Sequence, residues 1–407
     1  MRDMAKIVTI QSLNPIEGKD RIELATFNEN IYQVIVQKGF KVGDKCIFVE
    51  ADSLLPNEPQ YAFLKSRCWK ESLQRYRIKP TKMGNVISMA IVFDLSYLPK
   101  RKKEYKVGED VTEVMNILKY EPIEDASPKK QTGLNGFMWN HTLTRPIIRF
   151  ITSLQPKESK AFPTWLISKS DEENIQNNPS LLEKYNETNC YSTIKMEGQS
   201  VTFLFKPKMS WFGKRKTLGN FVVCSRNNAY EIPKAKPDLF ELARNLDIKN
   251  ALEKYYKKHG IILAVQGENC GPKIQKNIYG LKTNHFFIYT IKDLTNNRLV
   301  GFPENVTIAK ELGADTTNPF MHFVPIQTFD HPLGSFNLDK IEEREAFAKN
   351  YFMVENFLEQ KDLIIKDPEI CKVKTHLHEG VVIRGCNNEF SFKIKDAEYA
   401  FNFSKND

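Results

Sequence analysis

Short runs rich in Val, Ile, Phe and Tyr, each closed off by turn residues, recur along most of this chain and limit what it can become. A first group lies at residues 7–10, 31–37, 45–49 and 86–93, with NPIEGKD, KGFKVGD and LLPNEP as the breaks between them. A second group lies at 191–194, 200–205, 220–224, 261–266, 285–291, 380–383 and 389–394. Two stretches have helical spacing instead. One holds Leu239, Ala243, Leu246 and Leu252 within 238–258, and the other Ile341, Phe347, Phe352 and Phe357 within 338–360. Such stripes read as core. The pattern predicts an α+β protein: a small β-barrel first, then antiparallel sheets with helical insertions.

The two groups are separated by charged, apolar-poor sequence, PKRKKEYK at 99–106 and EPIEDASPKKQ at 121–131. Expected boundaries are therefore 1–105 for the barrel, which suits an OB-fold, 106–158 for a linker and 159–407 for the second domain. The basic run reads as a solvated tether rather than a contact surface. With 407 residues and 41% apolar content the chain can build real cores, and a net charge of +9 favours a polyanionic partner. Seven scattered cysteines, odd in number and without a CxxC pair, suit free thiols in a reducing compartment. The N-terminus MRDMAKIVTIQ lacks a signal-peptide core and no run is long enough to span a bilayer, so a soluble, cytoplasmic protein without a membrane partner is expected.

The sharpest local signal is YSTIKMEG at 191–198. It puts Lys195 at the end of a β-run, with Glu197 and the turn residue Gly198 behind it. Alone it is weak, because a lysine, an acid and a glycine at this spacing arise by chance. Three further segments follow in order. VQGENCGPKIQKN (265–277) delivers Glu268 beside a Gly-Pro turn, and HEGVVIRG (378–385) starts a strand with Glu379. SFKIK (391–395) puts Lys393 and Lys395 on one strand face. His376 and His378 lie just ahead of Glu379 but form no zinc signature and read as structural.

In combination these segments resemble the covalent nucleotidyltransferases, the superfamily of polynucleotide ligases and capping enzymes, and within it the RNA ligases. KMEG is similar to the nucleophile motif, SRN (225–227) to the motif after it, and QGENCGPKIQKN to the RNA-ligase form of the third. FFIYTI (286–291), EGVVIR and FKIK resemble the remaining motifs, and FPTWLISKSDEENIQN (162–177) resembles the start of that domain. The first hundred residues resemble the N-terminal OB domain of the fifth RNA ligase family. About a dozen residues follow Lys395, too few for the C-terminal OB domain of a DNA ligase or capping enzyme. Two positions depart from the pattern: Glu197 where Asp is commoner, and Tyr289 in YTI where the subfamily has FDI.

The resemblance implies an ATP-dependent RNA ligase that joins 3′-hydroxyl and 5′-phosphate RNA ends, in RNA repair, with Lys195 as the nucleophile that becomes lysyl-AMP. The alternatives are a DNA or mixed-strand nick ligase, or a non-catalytic RNA-binding protein on the same scaffold. A free lysine, with pKa ~10.4, is protonated at neutral pH. Lys393, Lys395 and a divalent cation, Mg²⁺ or Mn²⁺, are expected to depress it. Glu197 and Glu379 would hold the metal, Glu268 the ribose, Arg226 ribose or phosphate, and Gly198 the turn against the nucleotide. Tyr289 would stack on adenine, with Phe287 as the alternative. Lys206, Lys208, Lys214 and Arg215, in KPKMSWFGKRKTLG with Trp211 and Phe212, are candidates for RNA contact, as is the basic stretch 65–82. No protein partner is indicated.

Overall fold

The computed structural model describes residues 3–27, 33–120, 159–209, 215–349, 357, 361 and 378–404, with the backbone alone at 208–209, 215–219 and 403–404. In the N-terminal domain five strands hydrogen-bond in the order Ala90–Asp94, Lys45–Glu50, Ala5–Ile16, Lys19–Phe27, Val34–Gln37. The last returns towards the first: the Ile35 N–H donates to Ser88 Oγ (3.2 Å), just ahead of Ala90, so the barrel is nearly closed. Strand alternation explains why these runs are apolar almost throughout. Val8, Ile10, Cys46 and Phe48 point into one buried cluster, while their neighbours Ile7, Ile47 and Val49 point into another that holds Tyr61 and Tyr76. A barrel with a covered outer face needs apolar residues on both sides of its strands.

Residues 106–120 correct the expected boundary at 105. The Val111 N–H donates to Ala5 O (2.9 Å), Thr112 Oγ1 accepts from the Met4 N–H (2.8 Å), and Leu118–Lys119 pairs with Ser53–Leu55. Val111, Met115 and Ile117 are buried, so this charged-looking stretch caps the barrel with three apolar anchors. The basic run is held too, through Arg101 paired with Glu109 at 2.6 Å.

The second domain is built from two facing, mainly antiparallel sheets. The larger runs Lys160–Ala161, Asn228–Tyr230, Arg215–Cys224, Gln199–Met209, Leu263–Cys270, His285–Asp293, Arg298–Leu299. The smaller runs Glu173–Asn174, Ser391–Lys395, Gly380–Gly385, Asn189–Ile194, Ile326–Pro332. Val201, Phe203 and Phe205 of the larger sheet share one core with Cys190, Ile194, Val381, Ile383, Phe392 and Ile394 of the smaller. The stretch expected as one helix near 238–258 is two, Pro237–Asn245 and Ile248–His259, broken where Asp247 turns left-handed at φ 46°. The later stripe contributes the helix Ile341–Ala348, and Phe352 lies outside the described residues. A closing helix, Ala397–Ser404, sets Ala397 and Ala400 against the barrel and Tyr399 in the core of the second domain.

Candidate active site

Lys195 leaves the strand Asn189–Ile194 at the rim of the smaller sheet, where its N–H donates to Gly380 O (2.8 Å). The next strand begins at that glycine, so Glu379 arrives beside the lysine: Lys195 Nζ is 2.5 Å from Glu379 Oε2. Register does the rest. Lys395 pairs with Gly380 across the sheet and sets its Nζ 3.9 Å from Glu379 Oε1. Two residues back on the same face, Lys393 is buried and lies 3.7 Å from Asp171 Oδ1.

The larger sheet supplies the opposite wall. Glu268 stands opposite Ser200, and Ser200 Oγ is 2.9 Å from the Tyr289 hydroxyl, which also meets Ser170 Oγ at 2.7 Å. The Arg384 guanidinium faces the Tyr289 ring at 5.9 Å. Phe287, the other aromatic considered for adenine, has no exposure and packs on His322 and Phe357 in the core. Gly198 is required sterically: a Cβ there would run into Asn269 O and come within 2.9 Å of Glu268 Cγ. Arg226 Nη2 lies 3.8 Å from Asp171 Oδ1, while its Nε is buried without a hydrogen-bond partner among the described residues.

The protein's own charges set the state of each group in this cleft. Burial pulls the Lys195 ammonium towards a lower pKa, but Glu379, then Glu268 and Glu172, outweigh it, and the net shift is upward. Burial likewise drives the Glu268 carboxyl up to about 8, since the Lys195 charge offsets only part of that cost and Glu379 repels it. Glu379 itself is held below the ordinary range: burial raises it, and Lys195 and Lys395 together more than reverse this.

Glu197, 6% exposed, is pushed up to about 7 by burial, with Glu379 repulsion added, against the Lys276 N–H that donates to Oε1 at 3.3 Å. Its backbone N–H donates to the Tyr279 hydroxyl (2.8 Å), and its Oε2 is buried without a hydrogen bond among the described residues. Two mutually repelling carboxylates, one with an unsatisfied oxygen, are a donor set that fits a hard divalent cation retaining several waters. Among the described residues no group of three His, Cys, Asp or Glu side chains is placed to hold a metal. His378 is buried, and that burial takes its imidazole down to about 4; His376 lies outside the described residues.

Several residues of the cleft carry no role in the sequence reading. Asp171 gathers Lys393, Arg226 and, from the N-terminal domain, Lys119. Glu172 pairs with Arg384 at 2.5 Å, and that guanidinium overcomes burial to hold the carboxyl low. Both acids sit inside FPTWLISKSDEENIQN and Arg384 ends EGVVIR, but nothing local separates them from solvated charges. Of the four RNA-contact candidates, Lys206 lies over the Trp165 ring at 4.7 Å. The side chains of Lys208, Lys214 and Arg215 lie outside the described residues, as do Trp211 and Phe212. Among the described residues no helix is long and apolar enough to cross a membrane.

Comparison with known proteins adds three results. A family model described as an OB-fold domain matches residues 4–95, and one described as RNA ligase matches residues 189–395. The fold is similar to that of the Naegleria gruberi RNA ligase with PPi, at 24% identity and a TM-score of 0.71, covering 100% of both chains. A lysine-to-alanine variant of that enzyme with ATP and Mn matches at 23% identity and a TM-score of 0.70, over 99% of this chain and 98% of the other. A glutamate-to-alanine variant, also with ATP and Mn, matches at 24% and 0.71, over 98% and 99%. No curated protein sequence matches the chain.

Proposed function

This chain belongs to the RNA ligase family, and we propose that it joins a 3′-hydroxyl to a 5′-phosphate RNA end by way of lysyl-AMP on Lys195. The observation that carries this reading is a single lysine at a strand end, 2.5 Å from Glu379, with Lys393, Lys395, Arg226 and Glu268 around it. Similar folds have been solved with ATP and Mn, which supports ATP as the substrate and a divalent cation as its companion.

The Lys195 amine attacks the α-phosphorus of ATP; the N–P bond forms and the bond to pyrophosphate breaks. AMP then moves to the 5′-phosphate of an RNA strand, freeing the lysine, and the 3′-hydroxyl of the second strand attacks that phosphate and releases AMP. Each step is a phosphoryl transfer, so positioning and charge neutralisation dominate. Lys393 and Lys395 meet the α-phosphate oxygens, Arg226 a phosphate or the ribose, and Glu268 the ribose hydroxyls. Tyr289, held by Ser170 and Ser200, offers its ring to adenine. The protein's own charges keep Lys195 protonated and tied to Glu379. Mg²⁺ or Mn²⁺, held by Glu197 and Glu379 with retained waters, would neutralise those acids and so lower the lysine pKa.

The test is uptake of labelled AMP from ATP by the whole protein with Mn²⁺. The expected result is covalent AMP on wild type, released by acid but not by base as an N–P bond requires, and none on Lys195→Ala. No uptake by wild type removes the enzyme reading and leaves a binding protein on this scaffold. An all-RNA nick compared with an all-DNA nick then separates the RNA and DNA readings.

A further inference from the structure

Trp165 is the most exposed large hydrophobic side chain among the described residues, at 74%. Its exposure is not that of a loose loop. Phe162 and Ile167, on either side of it, are buried in a cluster with Leu204, Val222 and Cys224. Between them the Pro163 carbonyl accepts from the N–H of Leu166 (2.9 Å) and of Ile167 (3.2 Å), closing a tight turn with Trp165 at its tip. The Phe162 N–H donates to Asn227 O (2.9 Å), and Gln266 Nε2 donates to Ser168 O (3.0 Å). The chain thus fixes an indole outward at a cost in hydrophobic free energy that packing does not recover.

Charge lies beside it. Lys206, on the strand Gln199–Met209, places its ammonium over the indole at 4.7 Å. The loop then runs straight into the cleft. Lys169 Nζ donates to Asn227 Oδ1 (2.7 Å), next to Arg226, and Ser170, Asp171 and Glu172 line the site itself. From Trp165 to Ser170 is five residues, at most ~17 Å of chain. A rigid, wet aromatic with a cation on its face suits a nucleobase with its phosphate, since every base offers a π-face and every linkage a negative charge.

We propose that Trp165 and Lys206 form a stacking platform for one nucleobase of a single RNA strand, a few nucleotides from the end held at Lys195. The proposal rests on the ligase reading and extends it to the grip on the strand. It differs from the sequence expectation in seating the base on a residue outside the basic hairpin.

The experiment measures affinity of the whole protein for a 5′-phosphate RNA of about a dozen nucleotides, across a salt series, by fluorescence anisotropy. Trp165→Ala is expected to weaken binding about tenfold. Trp165→Phe should keep most of the affinity, because a ring remains. Lys206→Ala should lower the salt slope by about one. A 5′-phosphate dinucleotide, too short to reach, should lose nothing in Trp165→Ala. Undiminished affinity for the longer RNA in Trp165→Ala overturns the proposal and gives the face to a protein partner. AMP uptake from ATP is scored on the same preparations, so failure of the ligase reading shows in wild type and is separate from failure here. Should Trp165→Ala lose uptake as well through misfolding, Lys206→Ala decides, and an unchanged salt slope there is equally fatal.

Discussion

Lys195 Nζ and Glu379 Oε2 lie 2.5 Å apart although 184 residues separate them in the chain. Sheet register brings them together, because Lys195 and Gly380 are bonded through their backbones and Glu379 precedes that glycine. Gly380 adopts φ 134°, and a Cβ there would collide with the Ile394 carbonyl. Lys195, Glu379 and the strand of Lys393 and Lys395 are therefore held together by one glycine at which a side chain would meet backbone. Gly380→Ala should cost about 2 kcal/mol or more of stability through strain and overpacking. It should also slow AMP uptake at least tenfold at a temperature where the variant is folded. Wild-type uptake with an unchanged unfolding midpoint in Gly380→Ala contradicts this account.

Asp171 invites a second prediction. It gathers Lys393, Arg226 and Lys119, so it aims two cleft cations and ties the barrel to the site. Its removal leaves the buried Lys393 with less compensation. Asp171→Asn is expected to raise KM for ATP several-fold and to lower the cooperativity of unfolding between the two domains. Steady-state kinetics and a denaturant titration read the two effects. A variant with neither change would make Asp171 a surface acid.

How much of this the sequence discloses depends on distance. Lys195, Glu268, Glu379, Lys393 and Lys395 stand out because the short segments that hold them, each local in sequence, together resemble a known set of motifs. Asp171, Glu172 and Arg384 do not, since their importance arises only when two sheets meet and bury a pair such as Glu172–Arg384. The same limit explains residues 106–120. Their place between two charged runs suggests a linker, and Val111, Met115 and Ile117, spaced too irregularly to signal an element, anchor them to the barrel. It also explains the charge state of Lys195. A motif shows which groups gather but not that the carboxylates around the lysine outweigh the burial that opposes its charge.

In buffer with a chelator, Glu197 should give the protein a pH signature. Its carboxyl titrates near 7 when folded, against an ordinary 4.5. The folded state therefore binds a proton that the unfolded chain has released, and this contribution to stability is full below about pH 4.5. It is lost as pH rises through 7, by ~3 kcal/mol at most, because each pH unit between the two values is worth about 1.4 kcal/mol. Glu268, near 8, adds a loss of the same sign. Glu197→Gln should thus unfold at a higher temperature than wild type at pH 8, and gain nothing at pH 4.5. Equal slopes of Tm against pH in the two proteins would sink the assignment.

The last prediction separates the nucleophile from the charges around it. Lys195 is proposed to act covalently only towards ATP, so once AMP already caps an RNA 5′-phosphate its amine has no bond left to make. What remains is attack by a 3′-hydroxyl, which needs aligned ends and neutralised charge on the departing AMP. Lys195→Ala should accordingly fail with ATP and 5′-phosphate RNA, yet still join pre-adenylylated RNA. Lys195→Arg should behave alike, because a guanidinium stays protonated and cannot attack. Glu379→Ala should be poor in both assays, since its carboxylate balances Lys195 and Lys395 and is proposed to hold the metal in every step. Lys393→Ala and Lys395→Ala should lose AMP uptake at least a hundredfold, as removal of one stabilising charge does at other phosphoryl and acyl sites. Labelled AMP on Lys195→Ala would move the nucleophile elsewhere, and with it the whole arrangement of this cleft.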